Sequence, residues 1–531
     1  MEKLITAEQA ARLVPDGATI SIPGNASMLV VDRLLAALEE RFLAEGRPQG
    51  LTAYLPCNAG LGPGTGVDRF AHKGLLKRYI ASAFPIHDGS PLARMILDSE
   101  IEAYNFPMGV LYALLRDAAA GRPGLLTEVG KGTYVDPAMG GGRMNAATRE
   151  DLVMRLSLDK DYLFYKAPAI DVTFLKATTA DEKANLGFER EPLTLGALSL
   201  ALAAKNNGGI VVAQVERIAA RGSIHPKNVV VPGNLVDAVV LAPDAPQSST
   251  GRYEPAITGE TRAVLPRQRL DDPATRAIMF AAAARLRRGW TVNLGVGTPA
   301  NLPILLAESG LLDELTLSTE HGGINGFPNP LPLFGAHTNP EAILDPPSVF
   351  DMYDGGGLDA TLLGMAQADA EGNVNVSRFA GRLMGCGGFI DITHRTRTIL
   401  FCGTLTAGGT AHAMIAQGLS VTREGRVRKL VKAVDHLTFN GRQALERGQN
   451  VFLVTERGVF QLDRRGWLLV EVVAGIDPQR DIAAQIEFEF RAVPSLRVND
   501  APLTPVGVEQ TRRWIEARGF AEVDSSLEHR A

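Results

Sequence analysis

Two homologous open α/β domains with largely parallel sheets are what this sequence predicts, and three observations carry that expectation. At 531 residues the chain exceeds what a single hydrophobic core usually supports. Short β-rich runs alternate with alanine-rich helical segments, as in sheets built from strand–helix–strand crossovers. A helix–turn–strand phrase near the start recurs past the middle of the chain, so two comparable units are expected.

The first phrase opens at Thr6, a hydroxyl residue suited to cap a helix through Ala7 to Leu13. Pro15-Asp16-Gly17 then turns the chain into a strand at Ala18 to Ile22. The second phrase is Ala283 to Val292, with Gly289 as its turn, and it too leads into a strand and a glycine-bearing loop. Between them, Pro243 to Gly251 is rich in Pro, Ser and Gly, and polar residues dominate as far as Asp272. The expected division is therefore a first domain over 1–242, a linker over 243–272 and a second domain over 273–531. Runs such as Gly209 to Val215 and Arg397 to Cys402 supply further strands, and Ala197 to Lys205 a helix. In such sheets ligands collect outside the carboxyl ends of strands, so glycine turns that follow strands are where a site is sought.

Composition narrows the function. Hydrophobic residues make up 45% and charged residues 21%, with a mean hydropathy of +0.03, an ordinary globular balance. A net charge of -5 over 59 acidic and 54 basic residues gives no extended cationic field, so no nucleic-acid partner is expected. The three cysteines, Cys57, Cys386 and Cys402, make no disulfide framework and lack C-x-x-C spacing, which fits a reducing cytoplasm and no metal centre. Neither a signal peptide nor an apolar run of membrane-spanning length is legible, and no membrane partner is expected.

Three glycine-flanked strand ends are candidate sites. Leu315 to Gly326 runs from an alternating strand into a flexible loop with Glu320 at the hinge. A partly desolvated carboxylate there is a competent nucleophile toward an acyl group, and the glycines let substrate approach. On the residues alone, a solvated strand-end glutamate fits this pattern better, and His321 beside it fits a structural role. Arg382 to Asp391 places Gly385, Gly387 and Gly388 in a turn whose N–H groups suit an oxyanion or a phosphate. Cys386 within it has no evident acid/base partner and fits a small packing residue. Leu294-Gly295-Val296-Gly297 ends a strand in a G-x-G turn, but no third glycine follows, so dinucleotide binding is disfavoured while phosphate contact is not. The matching turn in the first half is Pro23 to Ser27, with Gly24.

Assembled, the chain resembles the class I CoA-transferases of the propionate/acetate type, with both homologous halves fused in one polypeptide. The resemblance spans nearly the whole length. It rests on Phe70 to Gly74, Ile101 to Pro107, Val129-Gly130 with Thr133 to Pro137, Tyr162 to Ala167, Phe350 to Asp359, Gly372 to Ser377 and Phe401 to Thr404. The resemblance implies that Glu320 is the catalytic nucleophile. Coenzyme A is also expected to lie against Gly295 and Gly297, against Gly387 and Gly388, and against Gly24 of the counterpart turn. One departure stands out. Members usually read Asn-Leu-Pro-Gln-Gly in the first half, the glutamine amide binding the acyl oxygen, whereas this chain has Met108 there. A thioether donates no hydrogen bond, so Met108, with His321 and Asn325 in the loop after the nucleophile, is expected to define a retuned acyl pocket.

The activity so implied is CoA transfer between a short-chain acyl-CoA and a free carboxylic acid, by a ping-pong route through a glutamyl-CoA thioester. No permanently bound cofactor, ATP or metal is required; acyl-CoA is the substrate. A cytoplasmic homo-oligomer, dimer or tetramer, is the expected state. The competing readings are an acyl-CoA thioesterase on the same fold, a non-catalytic acyl-CoA sensor, and, more remotely, an NAD-dependent oxidoreductase.

Overall fold

The computed structural model describes residues 1–85, 87, 89–265 and 268–520. Pro266 and Arg267 of the expected linker, and residues 521–531 of the expected second domain, lie outside the described residues.

The chain folds as two α/β halves, each built on a ten-stranded sheet. The first half supplies β1 (Leu4–Ile5), β2 (Thr19–Ser21), β3 (Leu51–Leu55), β4 (Leu76–Ala81), β5 (Glu102–Asn105), β6 (Val172–Asp181), β7 (Ile210–Ala219) and β8 (Ala238–Leu241). These lie side by side in the order β1-β8-β7-β6-β2-β3-β4-β5, every neighbouring pair parallel. Two short strands, Leu186–Gly187 and Val229–Val231, complete it antiparallel. Central β6 is buried along its whole length, Val172 to Asp181, as expected of a parallel strand covered on both faces. Helix starts follow local chemistry: Thr6 and Gln9 form the reciprocal capping box of the Ala7–Arg12 helix.

The second half supplies β9 (Thr291–Leu294), β10 (Thr316–Ser318), β11 (Gly323–Ile324), β12 (Ala342–Ile343), β13 (Ala360–Leu363), β14 (Thr398–Cys402), β15 (Asn450–Val454), β16 (Gly458–Asp463), β17 (Gly466–Val473) and β18 (Arg491–Asn499). Their order is β12-β11-β10-β9-β13-β14-β15-β16-β17-β18, with a parallel centre from β10 to β15. In each half an early strand lies mid-sheet: β2 sits between β3 and β6, and β9 between β10 and β13. Such reversals of strand order open a crevice at the carboxyl ends, where α/β sheets bind ligands.

Residues 243–272 contain no strand or α-helix among those described, only a single 3-10 turn at Pro255–Ile257. They are tied to both halves: Lys176 Nζ donates to Pro246 O at 2.7 Å, and the Asn339 N–H to Ala256 O at 2.8 Å. Among the described residues, no helix is long and apolar enough to cross a membrane.

The halves meet through strand-end turns. Phe84 N–H reaches Met384 O at 3.0 Å, Gly387 N–H reaches Ser82 O at 2.8 Å, and Met108 N–H reaches Gly387 O at 2.9 Å. Asn25 Nδ2 donates to Phe334 O at 2.6 Å, and Ser27 Oγ to Pro332 O at 2.9 Å. Loops that function would use are thereby held by backbone contacts across the divide.

Candidate active site

Glu320 stands two residues beyond the end of β10, where the chain folds back at once into β11. The reversal is closed by Gly322 N–H to Thr319 O at 3.1 Å and Thr319 N–H to Gly323 O at 3.2 Å. It tolerates no side chain: Gly322 has φ +124°, and a Cβ there would lie 2.1 Å from Leu344 O. The turn thus carries Glu320 inward instead of leaving it at a solvated strand end, and it is 8% exposed. Burial pushes its carboxyl up to about 7, opposed by its own N–H and by the Asn293 side chain. Asn293, on β9, also donates to Tyr353 Oη at 3.3 Å and accepts from Thr361 Oγ1 at 3.0 Å. One carboxyl oxygen, Oε2, has no hydrogen-bond partner and is closed off from solvent.

His321 is equally buried, and burial pushes it down to about 3, so the imidazole is neutral at physiological pH. Its Nδ1 lies 4.0 Å from Glu320 Oε2; with a neutral ring and at that separation the two are neither an ion pair nor a hydrogen bond. Nδ1 has no other partner. On its far side Nε2 is 3.8 Å from Cys57 Sγ, in the first half. The Cys57 thiol is pushed up to about 12 by burial and stays protonated. Phe334 meets the imidazole edge-on at a centroid distance of 5.6 Å.

Two further turns sit on the same edge. Gly295 ends β9 with its N–H on Leu362 O at 2.8 Å, and a Cβ would press on Leu363 at 3.0 Å. Gly297, at φ +85°, faces open space beside exposed Val296. Gly387 (φ +52°) carries the inter-half hydrogen bonds, and Gly388 is the N-cap of the Phe389–Arg395 helix with its Cα against Phe350. Across the strand ends of β13 and β14 lies Lys429, 8% exposed, its ammonium pushed down to about 8 by burial. A Cβ on Gly403 would stand 2.9 Å from its Nζ, and the charge of the buried Glu456 carboxylate opposes part of the downward shift. A buried lysine ammonium beside a strand-end glycine is a binding feature for a ligand's acceptor or anion.

The other sequence-selected residues divide. Met108, 2% exposed, opens the Met108–Ala119 helix against the Gly387 turn. The Asn325 side chain is spent on its own loop, accepting from Leu317 N–H at 2.9 Å and donating to Glu341 at 2.8 Å. Gly24 holds the first-half loops together: at φ +136°, a Cβ there would be 2.4 Å from that of Ala59. Sequence reasoning did not select Asn293, Cys57 or Lys429. Cys57 carried one usable signal, since it stands three residues past Tyr54 as His321 stands three past Ser318, the residues that pair with Ser21 and Asn293 on the neighbouring strands.

Residues 4–242 match the family model for Coenzyme A transferase. The caffeate CoA-transferase of Acetobacterium woodii is 40% identical over 519 residues, covering 95% of this chain and 97% of that protein. Acetate CoA-transferase YdiF of Escherichia coli (strain K12) is 38% identical over 511 residues, covering 94% of each. Among solved structures, the acyl-CoA transferase (YdiF) apoenzyme from E. coli O157:H7 superimposes with a TM-score of 0.89 at 37% identity, over 95% of this chain and 97% of that one. A thioester complex of that enzyme with CoA matches equally, at TM-score 0.89. The chain belongs to the Coenzyme A transferase family, with both halves in one polypeptide. It is an enzyme, a CoA-transferase, and an acyl-CoA is its substrate.

Proposed function

We propose that this enzyme moves CoA between a short-chain acyl-CoA and a free carboxylic acid in a ping-pong cycle through a glutamyl-CoA thioester on Glu320. The observation that carries the reading is the Glu320 carboxyl itself: buried, pushed up to about 7, and set at a strand end beside two glycine turns. Desolvation strengthens a carboxylate as a nucleophile because no hydration shell has to be removed as the bond forms.

In the cycle, Glu320 attacks the thioester carbonyl and the C–S bond breaks, giving a mixed anhydride and CoA thiolate. The thiolate adds to Cδ of Glu320, expels the carboxylic acid as its carboxylate, and leaves the glutamyl thioester. An incoming carboxylate reverses both steps, so thioester energy is conserved without ATP. Exclusion of water is essential, because a hydrolysed anhydride or thioester wastes the cycle, and the inter-half contacts around the Gly387 turn supply that seal.

Gly295, Gly297, Gly387 and Gly388 are assigned to CoA, and Lys429 joins them as the buried cation for a polar or anionic part of its long arm. Binding energy from that arm positions the thioester. Met108 and His321 are assigned to the acyl pocket, and Asn325 and Gly24 to the loops that shape it. The relatives' names, caffeate and acetate, span an aryl acid and a two-carbon acid, and the apolar thioether of Met108 suits the bulkier side of that range. The reading includes domains over 1–242 and 273–531 joined by 243–272, a cytoplasmic location, and a homo-oligomer, dimer or tetramer.

The test is to incubate the enzyme with acyl-CoA, reduce with borohydride and map the product by mass spectrometry. Reduction of the thioester at Glu320 alone is expected; modification elsewhere or nowhere overturns the assignment. Equal CoA release with and without an acceptor acid would instead mark a thioesterase.

A further inference from the structure

We propose that His321 is a catalytic hydrogen-bond donor to the Glu320-derived oxygen, stabilising the oxyanion that forms each time the glutamyl carbonyl is attacked. The inference rests on Glu320 as the covalent nucleophile and adds a role that neither family membership nor the sequence reading supplies.

The geometry comes first. Two buried polar atoms in the site, Glu320 Oε2 and His321 Nδ1, lack partners and face one another 4.0 Å apart. Oε2 is closed to solvent, so the little exposure Glu320 keeps lies elsewhere on the side chain. The attack is assigned to the other oxygen, Oε1, which meets the acyl carbon and becomes the bridging atom of the anhydride. Oε2 stays behind as the carbonyl oxygen. When thiolate adds to Cδ, the C=O electron pair moves onto Oε2; when the tetrahedral adduct collapses, the carbonyl re-forms and the C–O bond to the bridging oxygen breaks. His321 keeps its proton throughout. It only needs to close the gap to hydrogen-bond length as charge develops, and such bonds are commonly long in resting sites.

The surroundings fix the ring for this task. Gly335, at φ +103°, leaves room where a Cβ would stand 2.7 Å from His321 Cγ and 2.8 Å from Nδ1. Phe334 packs edge-on, at an interplanar angle of 80°. On the far side Cys57 Sγ, protonated, lies 3.8 Å from Nε2 and 3.5 Å from Asn25 Oδ1, and its one S–H serves one of them at a time; the donor role requires the tautomer with hydrogen on Nδ1, in which the S–H turns to Nε2. Cys57 is thus a positioning residue. Because burial keeps His321 neutral, it acts as a fixed donor and not as an acid or base.

The experiment measures steady-state kinetics, the pH profile and rapid-quench mapping of the Glu320 adduct for wild type, His321→Ala and His321→Asn, with a melting curve for each. Removing one oxyanion donor lowers kcat by about 10²–10³-fold. His321→Ala is expected to lose that much in kcat with little change in the KM for acyl-CoA, to form the Glu320 adduct at a correspondingly lower rate, and to keep the wild-type pH limbs. His321→Asn, which restores an N–H donor of similar reach, is expected to recover at least about tenfold. The inference is overturned if His321→Ala keeps wild-type kcat, if its loss lies wholly in KM, if it removes a pH limb as a general base would, or if a folded His321→Asn recovers nothing. Failure of the Glu320 reading is separately visible as a wild-type adduct mapped elsewhere.

Discussion

The ends of β3 and β10 occupy matching places in the two halves, yet only one carries a buried carboxyl group, the proposed nucleophile. Tyr54 pairs with Ser21 across β3 and β2, and Ser318 pairs with Asn293 across β10 and β9, so the strands are in register with their neighbours in the same way. Two residues further on stand Pro56 and Glu320; the next positions, Cys57 and His321, touch at 3.8 Å. Pro56, lacking an N–H, offers only its carbonyl, which accepts from Ser82 Oγ at 2.5 Å, and the chain runs on as a wall. On the other side Gly322 and Gly323 let the chain reverse sharply and push Glu320 into the space that wall closes. On the proposed reading the two strand ends divide the labour: the second half brings the carboxyl group, and the first lends Cys57 to the packing around His321.

Breaking the asymmetry at its reactive side has the largest expected effect. Glu320→Gln should lower turnover by roughly 10⁴–10⁶-fold, as loss of a covalent nucleophile does, and abolish the borohydride product. The same variant sharpens the role of burial through pH. Glu320 has its folded pKa raised from 4.5 to about 7, so the folded state holds a proton that the unfolded chain has lost. Stability from that proton is full below about pH 4.5 and is lost as pH rises through about 7. Chemical denaturation should therefore find Glu320→Gln more stable than wild type at pH 8 and no different at pH 4. For catalysis the sign reverses: wild-type kcat/KM should fall as pH drops through about 7, because the attacking form is the carboxylate.

A smaller effect is expected where the second half holds His321. Gly335→Ala forces a Cβ to within 2.8 Å of the imidazole and of Asn25 Nδ2, at a backbone φ of +103°. Strain of this kind costs about 1–3 kcal/mol, to be read from a melting curve, with a fall in kcat. An unchanged variant would mean that the contact between the two strand ends is slack. The smallest effect belongs to Lys429. Lys429→Met should raise the KM for acyl-CoA by about tenfold, the worth of one charge-assisted hydrogen bond, with kcat nearly unchanged. A lowered kcat with constant KM would place Lys429 in the chemistry instead of in binding.

Much of the frame could be read directly from residues. The capping box at Thr6, the strands at Thr19, Ile210 and Thr398, and the strand-then-glycine pattern around Glu320 all depend on interactions within a few positions of the chain. The burial of Glu320 could not be read that way, and its local pattern matched a solvated strand-end residue. Its surroundings are gathered across the fold: Asn293 on the neighbouring strand bonds it and opposes the upward shift, and His321 beside it packs on the Cys57 side chain 264 positions away. Asn325 shows the converse: chosen as a pocket residue for its place in the loop, it is consumed by Leu317 and Glu341.

By itself, then, the sequence determined two α/β halves, the position of Glu320 at a strand end and the glycines that let the chain turn around it, because caps, periodicity and turn chemistry are local. Only the tertiary structure decided that Glu320 is sealed in, that His321 is neutral and lies beside it, and that Lys429 is buried next to Gly403. Those properties are matters of desolvation and alignment, and both exist only once distant loops have closed on one another.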